Sequence, residues 1–434
     1  MARLQFGAFL APHHPLGESP TRLLRRDLDL AVHLDRLGFD EFWVGEHHST
    51  GWEMIASPEL FLAAAAERTR RIRLGTGVVS LPYHHPFTVA QRLVQLDHQS
   101  EGRLMFGSGP GALPSDAAML MLDPMRQRDM QDEALGVIIR LLEGETVSYE
   151  TDWFRMRDAR LQILPHQERI PMTVASSISP SGMKLAGKYG IGALSIASTS
   201  TEGLLALPTQ WSFAEESAAE HGRTVERRDW RVLLAWHLAS NRDKARDEAV
   251  DGLQNWNNNY NAKVLGRPDA VHTDDKWALL DGATQRGASG AGAAIIGTPD
   301  DAIEAIRNLQ DLTGGFGTAI GFVHDWADRE ATFRSWELFS RYVVPELQGT
   351  LRPMRASADH VGANKATLMA GAGAAIFAQI QRSERAQAEF AVTLQNAAQA
   401  QAEPGQTGVG QTGVGSSAAA ASAFGSPDRE GDER

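Results

Sequence analysis

Cysteine is absent from this 434-residue sequence, which excludes disulfides, thiolate metal sites and a cysteine nucleophile. No apolar run approaches the roughly eighteen residues that a membrane-spanning helix needs. Positive charge is in deficit: 42 lysines and arginines face 54 aspartates and glutamates, for a formal net charge of -12. An acidic surface attracts neither nucleic acid nor anionic membrane at long range, so neither is an expected partner. A bound phosphate would need a local arginine or a set of backbone amides. The first residues, Met1-Ala2-Arg3-Leu4, run straight into a strand-like segment without the hydrophobic region of a signal peptide. The expectation is a soluble, cytoplasmic protein.

What the sequence does have is alternation. Strand-like and helix-like segments succeed one another: a strand over residues 4–10, a helix over 20–37, a strand over 41–44, a helix over 58–68, a strand over 72–81, a helix over 88–98, a strand over 104–107 and a long helix over 125–142. Four units in about 140 residues is the pacing of a (β/α)8 barrel with a parallel sheet. Strand patterns over 172–175, 193–196, 232–238, 294–297 and 318–323, with helices between them, complete the barrel series near residue 344. Trp153, Phe154, Leu161 and Ile163 alternate within residues 147–164 and predict a hairpin insertion after the fourth helix. Residues 262–292 lack periodicity, and structureless stretches of that length are usually lids or disordered. The fold class is thus α/β, with a barrel over 1–348, a lid insertion over 262–292 and an alanine- and glutamine-rich helical extension over 349–402. The end, 403–434, carries the repeat Gly405-Gln406-Thr407-Gly408-Val409 and reads as a disordered tail.

The chain is organised around residues 38–48. Gly38 follows an apolar stripe of Leu23, Leu24, Leu28, Ala31, Val32, Leu34 and Leu37, and so can cap that helix in the left-handed conformation. Phe42-Trp43-Val44 is a short apolar run of the kind that a strand covered on both faces shows. Glu46-His47-His48 then falls at the rim where barrels place their chemistry.

Adjacent histidines recur after each of the first three strands: His13-His14, His47-His48 and His84-His85. Successive residues of an extended chain point to opposite faces, so an HH pair cannot offer both rings to one metal as an HxH pair can. One ring from each pair could still converge; the bland alternative is a set of surface or capping histidines, and no metal is expected. Gly107-Ser108-Gly109-Pro110-Gly111 either makes a tight turn or lets a ligand approach the backbone, and its spacing is not that of a dinucleotide fingerprint. Ser176-Ser177-Ile178-Ser179-Pro180-Ser181-Gly182 opens a helix with hydroxyls and free amides, which makes either an anion site or a redundant cap. Arg126 and Arg128 could supply the positive charge that the surface lacks. Trp256 and Tyr260 share one helical face, either as core or as ligand contacts. Asp97 reads as a structural partner rather than an acid.

Several segments together resemble the bacterial luciferase family of flavin-dependent monooxygenases. They are Gly38-Phe39-Asp40 with Trp43 and Glu46-His47-His48; Leu74-Gly75-Thr76-Gly77-Val78-Val79 with Leu81-Pro82 and His85-Pro86; Gly102-Arg103 with Phe106-Gly107; Arg128; Ala175-Ser176-Ser177; Ala186-Gly187-Lys188-Tyr189-Gly190; Trp256 with Tyr260; and Gly297-Thr298-Pro299-Asp300. They occur in order over roughly residues 4–347. The runs 81–86, 109–116 and 151–154 look most like the limonene 1,2-monooxygenase subgroup.

The resemblance implies a (β/α)8 barrel with reduced FMN at the carboxyl ends of its strands, supplied by a separate flavin reductase. Oxygen is then activated at the flavin C4a position as a peroxyflavin, and one atom enters a small, mostly apolar substrate by epoxidation, hydroxylation or Baeyer–Villiger insertion. His47 matches the family's catalytic histidine, with Glu46 and His48 beside it. Arg128 and the stretch Ser176, Ser177, Ser179, Ser181 and Gly182 fall where the family holds the FMN phosphate, and Gly77, Val78, Gly107, Gly109, Ala175 and Trp256 where it holds the rest of the flavin. Gly77-Val78 matches a dipeptide joined in luciferase by a cis bond. Gly109 and Pro110 replace a cysteine and an arginine of luciferase, and Ser176 replaces a glutamate, which argues against light emission but not against flavin binding. The resemblance also implies a homodimer. The alternatives are a deazaflavin-dependent hydride-transfer enzyme on the same barrel and a non-catalytic flavin-binding relative.

Overall fold

The computed structural model describes residues 3–402 apart from 12, 268, 269 and 288. The chain divides at Gly349 into two compact units. In the first, eight parallel strands form the barrel: β1 (Gln5–Leu10), β2 (Glu41–Val44), β3 (Arg73–Thr76), β4 (Leu104–Gly109), β5 (Met172–Ser176), β6 (Gly192–Ser195), β7 (Trp230–Leu238) and β8 (Thr318–Val323). β8 pairs with both β7 and β1, which closes the ring. Helices follow the strands and cover the outside, so the (β/α)8 architecture expected from the alternation is present.

Both faces of each strand are covered, which is why the strands read as short apolar runs. Phe42, Val44, Phe106 and Val174 face the helices, whereas Phe9, Trp43, Met105, Leu194, Leu233 and Ile320 fill the barrel. With a period of two, the inward set of β2 is Glu41 and Trp43, and the same parity continues through Gly45 to His47 at the rim. Toward the amino ends, Arg231 on β7 grips Glu41 through two hydrogen bonds of 2.8 Å, and the Trp43 indole donates to the same carboxylate at 2.8 Å. The helix Pro20–Leu37 ends at Gly38 in the left-handed conformation, φ 83, as its stripe and cap require.

The structure departs from the sequence reading in several places. The third strand is not continuous over 72–81: it stops at Thr76 and resumes as Val79–Ser80 beside Ser108 and Gly109 of β4. The break falls at Gly77, where a Cβ would lie 2.7 Å from the Phe9 ring and 2.9 Å from the Val44 backbone, so the chain passes too close for any side chain. No peptide bond among the described residues is cis, so Gly77-Val78 is trans. Ala294–Gly297 is not one of the eight barrel strands; it lies against the carboxyl half of the nine-residue β7, whose first half pairs with β8. The 262–292 insertion is not structureless either, since it contains the helix Lys276–Thr284, capped by the Asp275 carboxylate. The hairpin after the fourth barrel helix is Val147–Glu150 paired with Arg155–Ala159.

The second unit contains the helices Arg352–Gln381 and Glu384–Ala402. Residues 403–434, read above as a disordered tail, lie outside the described residues. Among the described residues no helix is long and apolar enough to cross a membrane.

Candidate active site

At the barrel rim the histidine pairs are divided between two carboxylates. His13, after β1, and His47, after β2, converge on Glu53: His13 Nε2 lies 3.1 Å from one carboxylate oxygen and His47 Nε2 lies 2.9 Å from the other. His48 and His84 converge instead on Glu46, at 2.8 and 2.6 Å. The opposite-face argument for adjacent residues thus decides the layout, because His47 and His48 point to different acids. The remaining partners go elsewhere. His14 is buried between Asp27 at 2.9 Å and Asp325 at 2.8 Å; burial opposes its charge, but these two acids push its pKa up to about 9. His85 caps the helix Pro86–Gln99 by accepting from the Phe87 amide.

His47 has a second acid on its other side, with Nδ1 3.4 Å from Asp116 on the short helix Pro114–Met119. Burial works against a charged imidazole, but the Glu53 charge and hydrogen bonds to Asp116 and Glu53 outweigh it and push the pKa up to about 10. Burial likewise raises Glu53, and the charges of His13 and His47 more than reverse this, holding it below the usual carboxylate range. Asp116 is lowered despite burial by its hydrogen bonds to His47 and Ser49. Acid and base therefore agree on an imidazolium flanked by two carboxylates at neutral pH. Glu53 also accepts the phenol of Tyr260.

Glu46 is a clamp rather than a free acid. One of its oxygens takes both His48 and His84, and the other accepts the Ser80 amide at 2.8 Å, tying β2 to the resumed third strand. Burial raises Glu46, but these histidines hold it low, and Glu46 in turn raises His48. Glu46, His48 and His84 form the one group of metal-ligand type among the described residues. Their 2.6–2.8 Å nitrogen-to-oxygen separations are those of charge-assisted hydrogen bonds. The Arg92 guanidinium also lies 3.4 Å from His84 Nδ1, a cation where a metal would be unwelcome.

Beside the histidines the barrel interior is built from small residues. Met105 faces inward, so by alternation Gly107 and Gly109 do too. A Cβ on Gly107 would meet the Thr76 carbonyl at 2.2 Å, and the Thr76 hydroxyl bonds both backbone groups of Gly107, so this glycine serves close strand packing. A Cβ on Gly109 would sit 2.9 Å from Val78 Cγ1 and 3.8 Å from Ala175 Cβ, which places Val78, Gly109 and Ala175 side by side as an apolar floor. Trp256 lies at the same mouth, its ring 6.2 Å from His13, 6.2 Å from Phe322 and 5.8 Å from Trp326.

The serine stretch supplies polar groups around one helix start. The Ser176 hydroxyl is buried without a hydrogen-bond partner among the described residues, the Ser179 and Ser181 hydroxyls are 2.9 Å apart, and Gln210 donates to the Ser177 carbonyl at 2.6 Å. The helix Ser181–Tyr189 begins behind Pro180 with no side-chain cap, so its first amides, including that of Gly182, are not used by a redundant cap. Arg126 is engaged with Asp152 on the hairpin at 3.1 Å, whereas Arg128 is exposed and forms no ion pair or hydrogen bond among the described residues. These groups fit a phosphate, and the Val78–Gly109–Ala175 floor fits a flat apolar ring.

Two acids that complete the His47 environment, Glu53 and Asp116, are absent from the sequence-derived candidates. Asp116 closes the 109–116 segment that carries the subgroup resemblance; Glu53 has no such signal, since it sits in an irregular loop.

An eight-stranded parallel barrel with an acid-flanked histidine at its carboxyl rim defines an enzyme of the monooxygenase class once its relatives are considered. A luciferase-like monooxygenase family profile matches residues 4–314. The chain is 52% identical over 363 residues to 4-hydroxyprotoasukamycin monooxygenase of Streptomyces nodosus subsp. asukaensis, covering 82% of this chain and 96% of that one. It is 48% identical over 351 residues to limonene 1,2-monooxygenase of Rhodococcus erythropolis, covering 81% and 88%. Among solved structures, the oxygenating constituent of 3,6-diketocamphane monooxygenase of Pseudomonas putida, a type II Baeyer–Villiger enzyme in complex with FMN, superposes with a TM-score of 0.65 at 27% identity, over 79% of this chain and 98% of that one. The chain belongs to the luciferase-like monooxygenase family.

Proposed function

We propose that this chain is the oxygenating component of a two-component system, in which reduced FMN comes from a separate flavin reductase and one atom of dioxygen enters a small, mostly apolar organic substrate. The observation that carries the reading is His47, an imidazolium fixed between Glu53 and Asp116 at the same barrel mouth as the Val78–Gly109–Ala175 floor. Bound reduced flavin supplies the electrons and the centre at which dioxygen is activated. Arg128, Ser176, Ser177, Ser179 and the uncapped start of Ser181–Tyr189 would hold its phosphate. Gly77, Val78, Gly107, Gly109 and Ala175 would lie against its ring, with Trp256 across the mouth.

His47 acts as a donor rather than a base, since it is held charged at neutral pH. Its Nδ1 hydrogen bond to Asp116 is long, at 3.4 Å, which leaves the Nδ1 proton weakly held. Glu46 and His48 hold the backbone on either side of His47 in place. Trp256, Phe322 and Trp326 present apolar surface that excludes water from a reactive oxygen species. The acid-poor, aromatic character of this wall supports an apolar substrate, and the two relatives of about half identity support oxygenation.

Photoreduced FMN, isotope-labelled dioxygen and a panel of terpenes, ketones and phenols test the proposal. The expected product carries one labelled oxygen atom. Turnover without oxygen, by hydride transfer to a substrate, contradicts it. A homodimer is part of the same proposal, and light scattering that finds only monomer at micromolar concentration contradicts that part.

A further inference from the structure

The turn that leads into the 262–292 insertion and the candidate catalytic histidine share one carboxylate. The helix Arg242–Asn255 continues as a seven-residue π-helical turn, Trp256–Ala262, which leads directly into the insertion. Such turns are rare and recur at functional sites. The same turn carries the insertion's anchor: Asn258 donates to the Thr273 carbonyl at 2.8 Å and accepts its amide at 3.1 Å, and Asn257 donates to the Val271 carbonyl at 2.9 Å. Two residues on from Asn258, Tyr260 is 1% exposed, packed between Trp52 and His13 with ring distances of 5.3 and 4.7 Å, and its phenol donates to Glu53.

The contacts on Glu53 differ in kind. Its Oε1 accepts the Tyr260 phenol and lies 3.1 Å from His13 Nε2, while its Oε2 lies 2.9 Å from His47 Nε2 as an ion pair. The phenol restrains the carboxylate from turning about its last bond, and that keeps the other oxygen beside His47. Without the phenol, the His13 ion pair remains on Oε1 and the plane of the carboxylate is less firmly held. From Tyr260 to His47 the polar contacts run through Glu53, and the backbone of the π-helical turn joins Tyr260 to Asn258.

We infer that Tyr260 is a positioning residue: through Glu53 it holds the orientation of His47, and it couples that orientation to the seating of residues 271–284 on the π-helical turn. The inference deepens the oxygenase reading and rests on it for the role of His47. The charged and titratable groups that face His47 are Glu53 from the loop after β2, Asp116 from the helix Pro114–Met119, the adjacent His48 and, across Glu53, His13 from the end of β1. Coupling is reciprocal, so a change at either end must appear at the other.

Two near-isosteric variants, Tyr260→Phe and Glu53→Gln, test this without turnover. In Tyr260→Phe, the carbon-13 titration of the His47 ring, assigned by its loss in His47→Asn, shifts down by at least about one pH unit. In Glu53→Gln, amide exchange across residues 271–284 quickens by at least about tenfold. An unchanged His47 titration in the first variant, or unchanged exchange in the second, overturns the inference. Both readouts are independent of oxygenation, so a failed labelling experiment with both shifts present sinks the functional reading and leaves the coupling standing.

Discussion

Nε2 of His47 lies 2.9 Å from the Glu53 carboxylate and Nδ1 lies 3.4 Å from Asp116, so the ring is held between two acids. The first contact is a close ion pair and the second a long hydrogen bond, and both favour the charged ring. Replacing His47 with glutamine keeps a polar side chain but removes the charge and the transferable proton. Product formed per flavin oxidised should fall by about 100-fold or more, in the range for a lost general acid, while FMN binding is retained. Coupling at the parental level in a variant that still binds flavin would remove His47 from the mechanism.

The pH dependence follows from the same pair. A histidine raised from 6.5 to about 10 contributes stability that is complete below its ordinary value and is lost as pH rises through about 10. Glu53 and Asp116 are depressed, so their contribution is present above the ordinary carboxylate range and disappears as pH falls through their folded values. The melting temperature should therefore decline between pH 7 and 10 more steeply in the parent than in His47→Gln. Identical alkaline slopes by calorimetry would show that His47 is not held charged.

Arg128 separates phosphate recognition from ring recognition. A charge-assisted hydrogen bond is worth about 1.5–3 kcal/mol, so Arg128→Ala should weaken FMN binding by about 10- to 100-fold and leave riboflavin, which lacks the phosphate, nearly unaffected. Arg126→Ala, which removes the ion pair to Asp152, should change neither by much. Equal losses for FMN and riboflavin in Arg128→Ala would place the phosphate elsewhere.

Glu41 and Arg231 lie inside the barrel, away from the rim. Both are buried, with side chains 2% and 7% exposed. Glu41→Gln leaves a buried guanidinium without its counter-charge, at a cost of about 3–5 kcal/mol. Chemical denaturation should register this, and a variant as stable as the parent would mean that the pair is dispensable.

Much of the barrel was legible because its strands are buried on both faces and its first helix ends at a glycine. The apolar runs at Phe42-Trp43-Val44 and 104–107 follow from burial, and the cap at Gly38 from backbone sterics. The interruption of the third strand was not legible, because it depends on how closely Gly77 passes Phe9, which is distant in sequence. The helix Lys276–Thr284 escaped notice for another reason: only Leu280 is buried, so it carries no apolar stripe.

At the site, the histidine pairs and Glu46 were visible, whereas Glu53 and Asp116 were not. Asp116 reaches His47 across 69 residues of chain, and Glu53 is brought to His13 and His47 by a loop without periodicity. Arg128 and Arg126 look equivalent in sequence; the hairpin carrying Asp152 is what occupies Arg126, while Arg128 has no ion pair among the described residues.

The most direct test of the oxygenase reading is stopped-flow mixing of the protein and photoreduced FMN with oxygenated buffer, following the return of oxidised-flavin absorbance. The account predicts that the return is delayed by about tenfold or more relative to protein-free buffer, because the site shields the activated oxygen from water, and that a productive substrate shortens the delay. A time course that matches free flavin, with and without every substrate tried, would contradict it.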